Sequence, residues 1–293
     1  MPTFTAPDGT RLAFRVHGAG DPLLCIPGGP ADSAYLGDLG GLGAHRTLIT
    51  LDLRGTGRSQ VPEDTASYRC DRLAEDVEAL RAHLGLPRTD LLAHSAGANI
   101  AVQYAARYPQ RVRRLALIGP STRALGVAVA GPMRRELALA RRGEPWFPAA
   151  FAALEAVLAG APGDPDAIAP FFHGRWDDAA RRHHAASRPQ NPGAVTGFAA
   201  EGAFDPAATR AALTALAAPV LLLAGEHDLN SPPEAVAQCA RFFPGAAFTV
   251  QDGAGHHPWL DDPGRFTAAV AQFLAGRPGA GGRAPARRSS AAA

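Results

Sequence analysis

The stretch Leu91-Leu92-Ala93-His94-Ser95-Ala96-Gly97 narrows the possible folds more than any other in the chain. An apolar run ends, a serine comes soon after it, and a helix-forming segment begins at once. A serine on so tight a strand-to-helix turn is forced into a strained backbone region, and only small flanking residues avoid a clash with the neighbouring strand or helix. Ala93 and Gly97 are small enough. The helix expected from about Ala96 to Tyr108 aims the partial positive charge and unpaired N–H groups of its first turn at the serine oxygen, where an oxyanion would be stabilised. Serine is also a favoured helix N-cap, so this stretch alone leaves a purely structural reading open. Two distant segments favour chemistry: Gly225-Glu226-His227-Asp228 and Gly253-Ala254-Gly255-His256-His257-Pro258 add a carboxylate and an imidazole in the chain order nucleophile, acid, histidine.

Around that turn, strands and helices alternate. Residues from about Thr3 to His17 hold alternating apolar positions about Pro7-Asp8-Gly9 and predict an antiparallel hairpin. Leu23-Leu24-Cys25-Ile26 predicts a buried strand running into Pro27-Gly28-Gly29-Pro30, a loop with so little side-chain bulk that its backbone can approach a ligand. Thr47 to Asp52 is the next strand, and it ends in the glycine-rich loop Leu53 to Ser59. Asp52 suits a structural role there, a carboxylate and a guanidinium tying the loop down. Leu73, Val77, Leu80 and Leu84 recur at helical spacing up to Gly85, and Thr89 to Ala93 and Val112 to Ile118 read as strands. Such alternation implies a parallel sheet with right-handed crossovers. The Gly28 loop and the Ser95 turn then share the sheet end at which open α/β sheets bind ligands.

Residues 1–120 thus form the first part of an α/β core. From 121 to 205 the strands stop, and aromatics, paired arginines and Ala-rich helical runs predict an inserted helical lid. Residues 206–276 resume the core with strands at Val220 to Ala224 and Phe248 to Gln251 and a last amphipathic helix; residues 277–293 are a Gly, Pro, Arg, Ser and Ala tail too poor in apolar bulk to fold. Trp146, Phe147, Phe151, Phe171, Phe172, Trp176 and Phe198 are candidates for an apolar substrate pocket above Ser95. The competing reading is that aromatics in a helical lid pack its own small core. The paired arginines of the lid, Arg134, Arg135, Arg141, Arg142, Arg181 and Arg182, read as solvated faces.

A net charge of +2 with 19% charged residues gives no reason to expect nucleic acid or an acidic membrane, which leaves a small molecule as the partner. Cys25, Cys70 and Cys239 are widely spaced and suggest neither a disulfide framework nor a zinc site, as expected of a reducing cytoplasm. The opening Met1-Pro2-Thr3-Phe4-Thr5 lacks a basic region followed by an apolar run, and no stretch approaches the roughly 20 apolar residues of a membrane span. Oligomeric state leaves no trace in the composition.

With these segments in view, the chain resembles the α/β-hydrolase superfamily over nearly its whole length, and among its branches the lidded enzymes related to proline iminopeptidase. Pro27-Gly28-Gly29-Pro30 resembles the family's His-Gly-Gly-Pro oxyanion loop, Asp52 to Ser59 its Asp-x-Arg-Gly-x-Gly-x-Ser turn, and His94-Ser95-Ala96-Gly97 its nucleophile elbow. The resemblance implies a mostly parallel twisted sheet flanked by helices, carrying an inserted lid. Three positions depart from the pattern. Pro27 stands where the family usually has histidine and would brace the loop by rigidity instead; Ala96 stands where iminopeptidases usually carry tryptophan, which weakens an aminopeptidase assignment; and Ala93 replaces the usual glycine.

Expected roles follow. Ser95 is the nucleophile, His256 the base and Asp228 the acid, with His257 and Glu226 as the nearest rivals to the last two; the resemblance puts the family's histidine and acid on these two loops. His257 is also a candidate substrate contact, and His94 is expected to be structural. Backbone N–H groups of Ala96 and Gly29 are the expected oxyanion donors, since Pro27 and Pro30 have none. Asp261 and Asp262 suit N-caps for the helix opened by Pro263. The expected chemistry is acyl transfer to water from an ester, thioester, lactone or amide of a small, largely apolar molecule, with no metal or organic cofactor. Alternatives are an aminopeptidase, which would need Glu136, Glu144, Glu155 or Glu201 to bind an ammonium, and a non-hydrolytic or carbon–carbon-cleaving reaction on the same residues.

Overall fold

A computed structural model describes residues 1–186 and 191–276; the tail expected to be unfolded, 277–293, lies outside the described residues. Eight strands, β1 (Thr3–Thr5), β2 (Arg11–His17), β3 (Pro22–Ile26), β4 (Thr47–Leu51), β5 (Thr89–His94), β6 (Val112–Ile118), β7 (Val220–Gly225) and β8 (Ala247–Gln251), form one sheet in the order β1-β2-β4-β3-β5-β6-β7-β8. β1 and β2 make the expected hairpin, and β2 also runs antiparallel to β4. All later pairings are parallel. The chain runs outward from β3 to β4 and then returns to the other side of β3 as β5. Ligands bind where a parallel sheet reverses its winding in this way, and the register Ile26↔Ala93 brings the Gly28 loop and the Ser95 turn side by side there.

Each central strand is apolar on both faces because helices cover both. Leu24, Ile26, Leu91, Ala93, Leu115 and Leu117 join one core cluster, whereas Leu23, Cys25, Leu92, Ala116 and Ile118 join the other. That is the period-two alternation of a strand buried on both sides. The first face is covered by α1 (Cys70–His83) and α2 (Gly97–Arg107), whose buried Leu73, Val77, Leu80, Ile100 and Tyr104 sit at helical spacing.

Between β6 and β7 the described residues hold no strand. They form the helices α3 (Gly131–Leu139), α4 (Phe147–Leu158), α5 (Pro165–Ile168), α6 (Asp178–Ala185), α7 (Pro192–Phe198) and α8 (Pro206–Leu213). After β7 come α9 (Pro233–Ala240), α10 (Pro258–Asp261) and α11 (Pro263–Leu274). α8 and α9 complete the cover of the first face with Leu213, Val236 and Cys239, while Phe266, Val270 and Leu274 of α11 cover the second.

The insertion has a small core of its own. Ala138, Ala150, Leu154 and Phe171 are buried together with Leu229, and Trp146, Phe147 and Phe151 pack against them. Trp146 meets Phe171 edge-on at 5.0 Å between ring centroids, and Phe147 stacks on Phe151 at 4.9 Å. Arg141, one of the arginines read as solvated, is 5% exposed, lies over the Trp146 ring and donates to the His173 carbonyl at 3.0 Å. Phe198 belongs to the main core.

The loop after β4 is tied down by Asp52, as expected, but through different partners. Its carboxylate accepts from Ser33 Oγ and from the Arg58 N–H at 2.9 Å, with Arg15 Nε 3.7 Å away. Arg54 turns the other way and forks onto Asp76 of α1 at 2.7 and 2.6 Å. Among the described residues, no helix is long and apolar enough to cross a membrane.

Candidate active site

Ser95 sits at φ +53, the left-handed region that non-glycine residues rarely occupy. Its N–H donates to the Ile118 carbonyl and its C=O accepts from Ser121, so the sheet holds the strained turn from both sides. Close packing explains the small neighbours. A Cβ on Gly97 would strike the Pro27 carbonyl, and one on Gly28 would lie 2.7 Å from Ser95 Cβ. The hydroxyl therefore emerges against the Gly28-Gly29 backbone.

His256 Nε2 lies 2.8 Å from Ser95 Oγ, and His256 Nδ1 lies 2.8 Å from Asp228 Oδ2. Asp228 is fully buried, and its other oxygen accepts the N–H groups of Asn230 at 2.8 Å and Ser231 at 3.0 Å. An ionised carboxylate only accepts, so Nδ1 carries the imidazole proton and Nε2 is left to receive the serine proton. Of the rivals, Glu226 accepts the Gly253 N–H at 2.7 Å and faces solvent, and His257 turns its ring edge-on to His256. Among the described residues, the N–H groups of Gly29 and Ala96 donate to no acceptor. They border the same cavity as Ser95.

A second chain of hydrogen bonds, centred on Tyr35, had no signal in the sequence. The Gly28 N–H donates to Tyr35 Oη at 2.6 Å, Tyr35 Oη lies 2.7 Å from His94 Nδ1, and His94 Nε2 lies 2.8 Å from the His256 carbonyl. A carbonyl only accepts, so Nε2 bears the His94 proton and the tyrosine hydroxyl donates to Nδ1. Burial, then repulsion by His256, holds His94 well below the ordinary imidazole range and keeps it neutral. His94 is structural in this sense, and it joins the Ser95 turn to the Gly28 loop, through Tyr35, and to the His256 loop. Tyr35, rather than the rigidity of Pro27 alone, braces the Gly28-Gly29 loop.

Asp261 is likewise not the helix cap that its neighbour is. Asp262 caps α11 by accepting from the Arg265 N–H at 2.9 Å. Asp261 is buried and accepts from Gly255 at 2.8 Å and from Gly174 of the insertion at 2.9 Å. The His256 N–H donates to the Phe172 carbonyl at 2.9 Å. Backbone of the helical insertion thus helps to set the imidazole.

The cavity at Ser95 has a volume of about 330 Å³ and is walled by Gly29, Ala31, Tyr35, Ala96, His183 and His257, among others. Of the expected substrate contacts only His257 lines it. Phe171 is buried in the small core of the insertion, Trp146, Phe147 and Phe151 pack partly buried against it, and Trp176 meets His173 at a tilt with ring centroids 5.4 Å apart. Phe172 offers the site its carbonyl, and its ring does not border the cavity. Pairing with one another removes more aromatic surface from water than facing an open cavity would.

The fold defines a class, the hydrolases built on a mostly parallel α/β sheet. The alpha/beta hydrolase fold family matches residues 21–263, and the chain belongs to it. The N-formylmaleamate deformylase of Pseudomonas putida is 30% identical over 284 residues, which span 94% of this chain and 98% of that one. A proline iminopeptidase of Heyndrickxia coagulans is 34% identical over 116 residues, 38% of this chain and 40% of that one. Among solved structures, a thermophilic esterase from Thermogutta terrifontis is 28% identical with a TM-score of 0.70, covering 94% of this chain and 98% of its own.

Proposed function

We propose that the protein is a serine hydrolase that transfers the acyl group of a small ester, thioester, lactone or amide to Ser95 and then to water. The observation that carries this reading is the line from Ser95 Oγ through His256 to buried Asp228, each step 2.8 Å long, at the wall of a cavity. As Ser95 attacks a carbonyl carbon, His256 Nε2 takes the hydroxyl proton, and the fixed carboxylate of Asp228 stabilises the imidazolium. The N–H groups of Gly29 and Ala96 meet the oxyanion. Collapse expels the leaving group, which takes the proton back from His256, and a water activated by the same imidazole releases the acid.

The wall supports a compact substrate, since alanine side chains and imidazoles line it; the aromatics on which an apolar substrate was expected pack elsewhere. The deformylase relative supports the amide arm, because formyl is the smallest acyl group. The aminopeptidase alternative finds less support. Glu155 pairs with Arg135 at 2.7 Å and Glu144 with Arg141 at 3.5 Å, and neither these nor Glu136 or Glu201 borders the cavity. Buried thiols at Cys25, Cys70 and Cys239, none in a disulfide, support a reducing, cytoplasmic setting.

Labelling with a fluorophosphonate tests the reading. The native chain is expected to label, and Ser95→Ala and His256→Ala are not; equal labelling of all three would overturn it. Faster turnover of a free-amine amino-acid amide than of an aryl acetate would instead put the aminopeptidase first.

A further inference from the structure

His173, His183 and His257 converge from three places: the turn that follows Phe172, helix α6, and the loop that carries His256. One ring nitrogen from each lies within 4.8 Å of the other two. The His173 and His257 rings are stacked 5.2 Å apart, and His183 meets His257 edge-on at 4.7 Å. Nδ1 of His173 and Nδ1 of His257 are buried with no hydrogen-bond partner among the described residues, and His173 is only 2% exposed. Buried polar atoms without partners are few in folded proteins, and a bound ion is one of the recognised reasons for them. We propose that His173, His183 and His257 form a binding site for a divalent transition metal of the zinc class, at the wall of the Ser95 cavity, where it fastens the lid to the loop bearing His256.

The donor set selects the metal. Imidazoles without a carboxylate or thiolate suit Zn²⁺, Co²⁺, Ni²⁺ and Cu²⁺ rather than Mg²⁺ or Ca²⁺. Burial, reinforced by neighbouring imidazoles, brings His173 down to about 4, lowers His183 and holds His257 well below the ordinary range. All three are therefore neutral at neutral pH, the form that ligates a metal. Metal–nitrogen bonds of about 2.0–2.1 Å in a tetrahedron set the nitrogens about 3.4 Å apart, and small side-chain rotations close the remaining gap. His183 Nε2 lies 3.2 Å from the Tyr35 carbonyl, the kind of outer partner that orients a ligating imidazole. Three protein ligands leave a fourth position open. His183 and His257 also border the Ser95 cavity, which places the site beside it.

Cobalt titration of the full chain without a polyhistidine tag tests the site and needs no substrate. One equivalent of Co²⁺ is expected to give the intense visible absorption of low-coordinate cobalt, displaced by Zn²⁺, and Ser95→Ala keeps it. A failed hydrolase reading and a failed metal site are therefore distinguishable. His173→Ala and His183→Ala are each expected to weaken Co²⁺ at least about 100-fold, more than the loss of an outer partner costs. His184→Ala, whose ring pairs with Asp166 instead, leaves binding unchanged. If His173→Ala fails to fold, His183→Ala on the lid helix decides alone. The weak spectrum of six-coordinate cobalt, unaltered binding in the folded ligand variants, or a signal lost in His256→Ala but kept in His173→Ala would each overturn the site.

Discussion

Strand β5 sits between two buried carboxylates that are held in opposite ways. Near its start, Asp90 is fully buried, with Arg46 Nη1 at 3.0 Å, Arg113 forked onto it at 2.9 Å through both Nε and Nη2, and Arg114 at 3.8 Å. Arg46 also reaches the Leu274 carbonyl at 2.6 Å, so this cluster ties the sheet to α11. Beyond the other end, Asp228 is equally buried but receives two backbone N–H groups and one imidazole. Permanent cations at Asp90 neutralise its charge for good and lock the frame. In the proposed reaction, a guanidinium at Asp228 would do the same and leave the carboxylate less to offer the imidazolium that forms on His256. Neutral donors hold Asp228 in place while keeping its charge available.

The largest expected effects break the two ends separately. Ser95→Ala is expected to lower kcat by about 10⁴-fold or more, with the denaturation midpoint little changed, as read by aryl ester turnover and urea melting. Asp90→Ala is expected to do the reverse. It leaves guanidinium groups facing one another without their anion, at a cost of about 3–5 kcal/mol in urea unfolding, while turnover per folded molecule stays at the native level. A fall in kcat for folded Asp90→Ala would show that the two ends are not independent.

The frame was readable because its signals are local. Strands buried on both faces are short apolar runs, and Ser95, Gly29 and Asp228 each sit in a loop directly after such a run, while His256 follows the half-buried edge strand β8. What stayed hidden depends on contacts between distant segments. Tyr35 acquires its role only when folding brings it to His94, and Asp261 and Asp262 are equivalent as capping candidates until Gly174 arrives beside one of them. The aromatics of the insertion stayed hidden for another reason. Their helical spacing is the same whether the rings face a cavity or one another, and Leu229, a partner that completes their core, lies outside the insertion.

Tyr35→Phe sharpens the comparison at an intermediate size. It keeps the ring but removes the acceptor for the Gly28 N–H and the donor to His94 Nδ1. Leaving such buried groups unsatisfied costs about 1–3 kcal/mol. If the chain positions the oxyanion loop, kcat falls about tenfold or more while KM for a small ester holds. A change in melting temperature with kcat intact would make Tyr35 a brace of the fold only.

The smallest expected effect lies in the frame and concerns acid. Asp8 in the hairpin turn pairs with Arg54, and its Oδ1 accepts the Thr10 N–H at 3.0 Å. Partial burial pushes this carboxyl up, but the Arg54 and Thr10 hydrogen bonds outweigh it and bring the pKa down to about 2 from an ordinary 3.8. A carboxyl whose pKa is lower in the folded than in the unfolded chain stabilises the fold above the unfolded value, and that stabilisation is lost as pH falls through the folded one. The contribution should therefore be full above about pH 4 and fade between 3.8 and about 2. It should also be small, because the Asp8 side chain is 44% exposed and solvent screens the pair. Urea melts of the native chain and Asp8→Asn across this range test it. The variant should start slightly less stable at neutral pH and converge on the native chain by pH 2, and a constant gap would show that the ion pair contributes nothing that titrates.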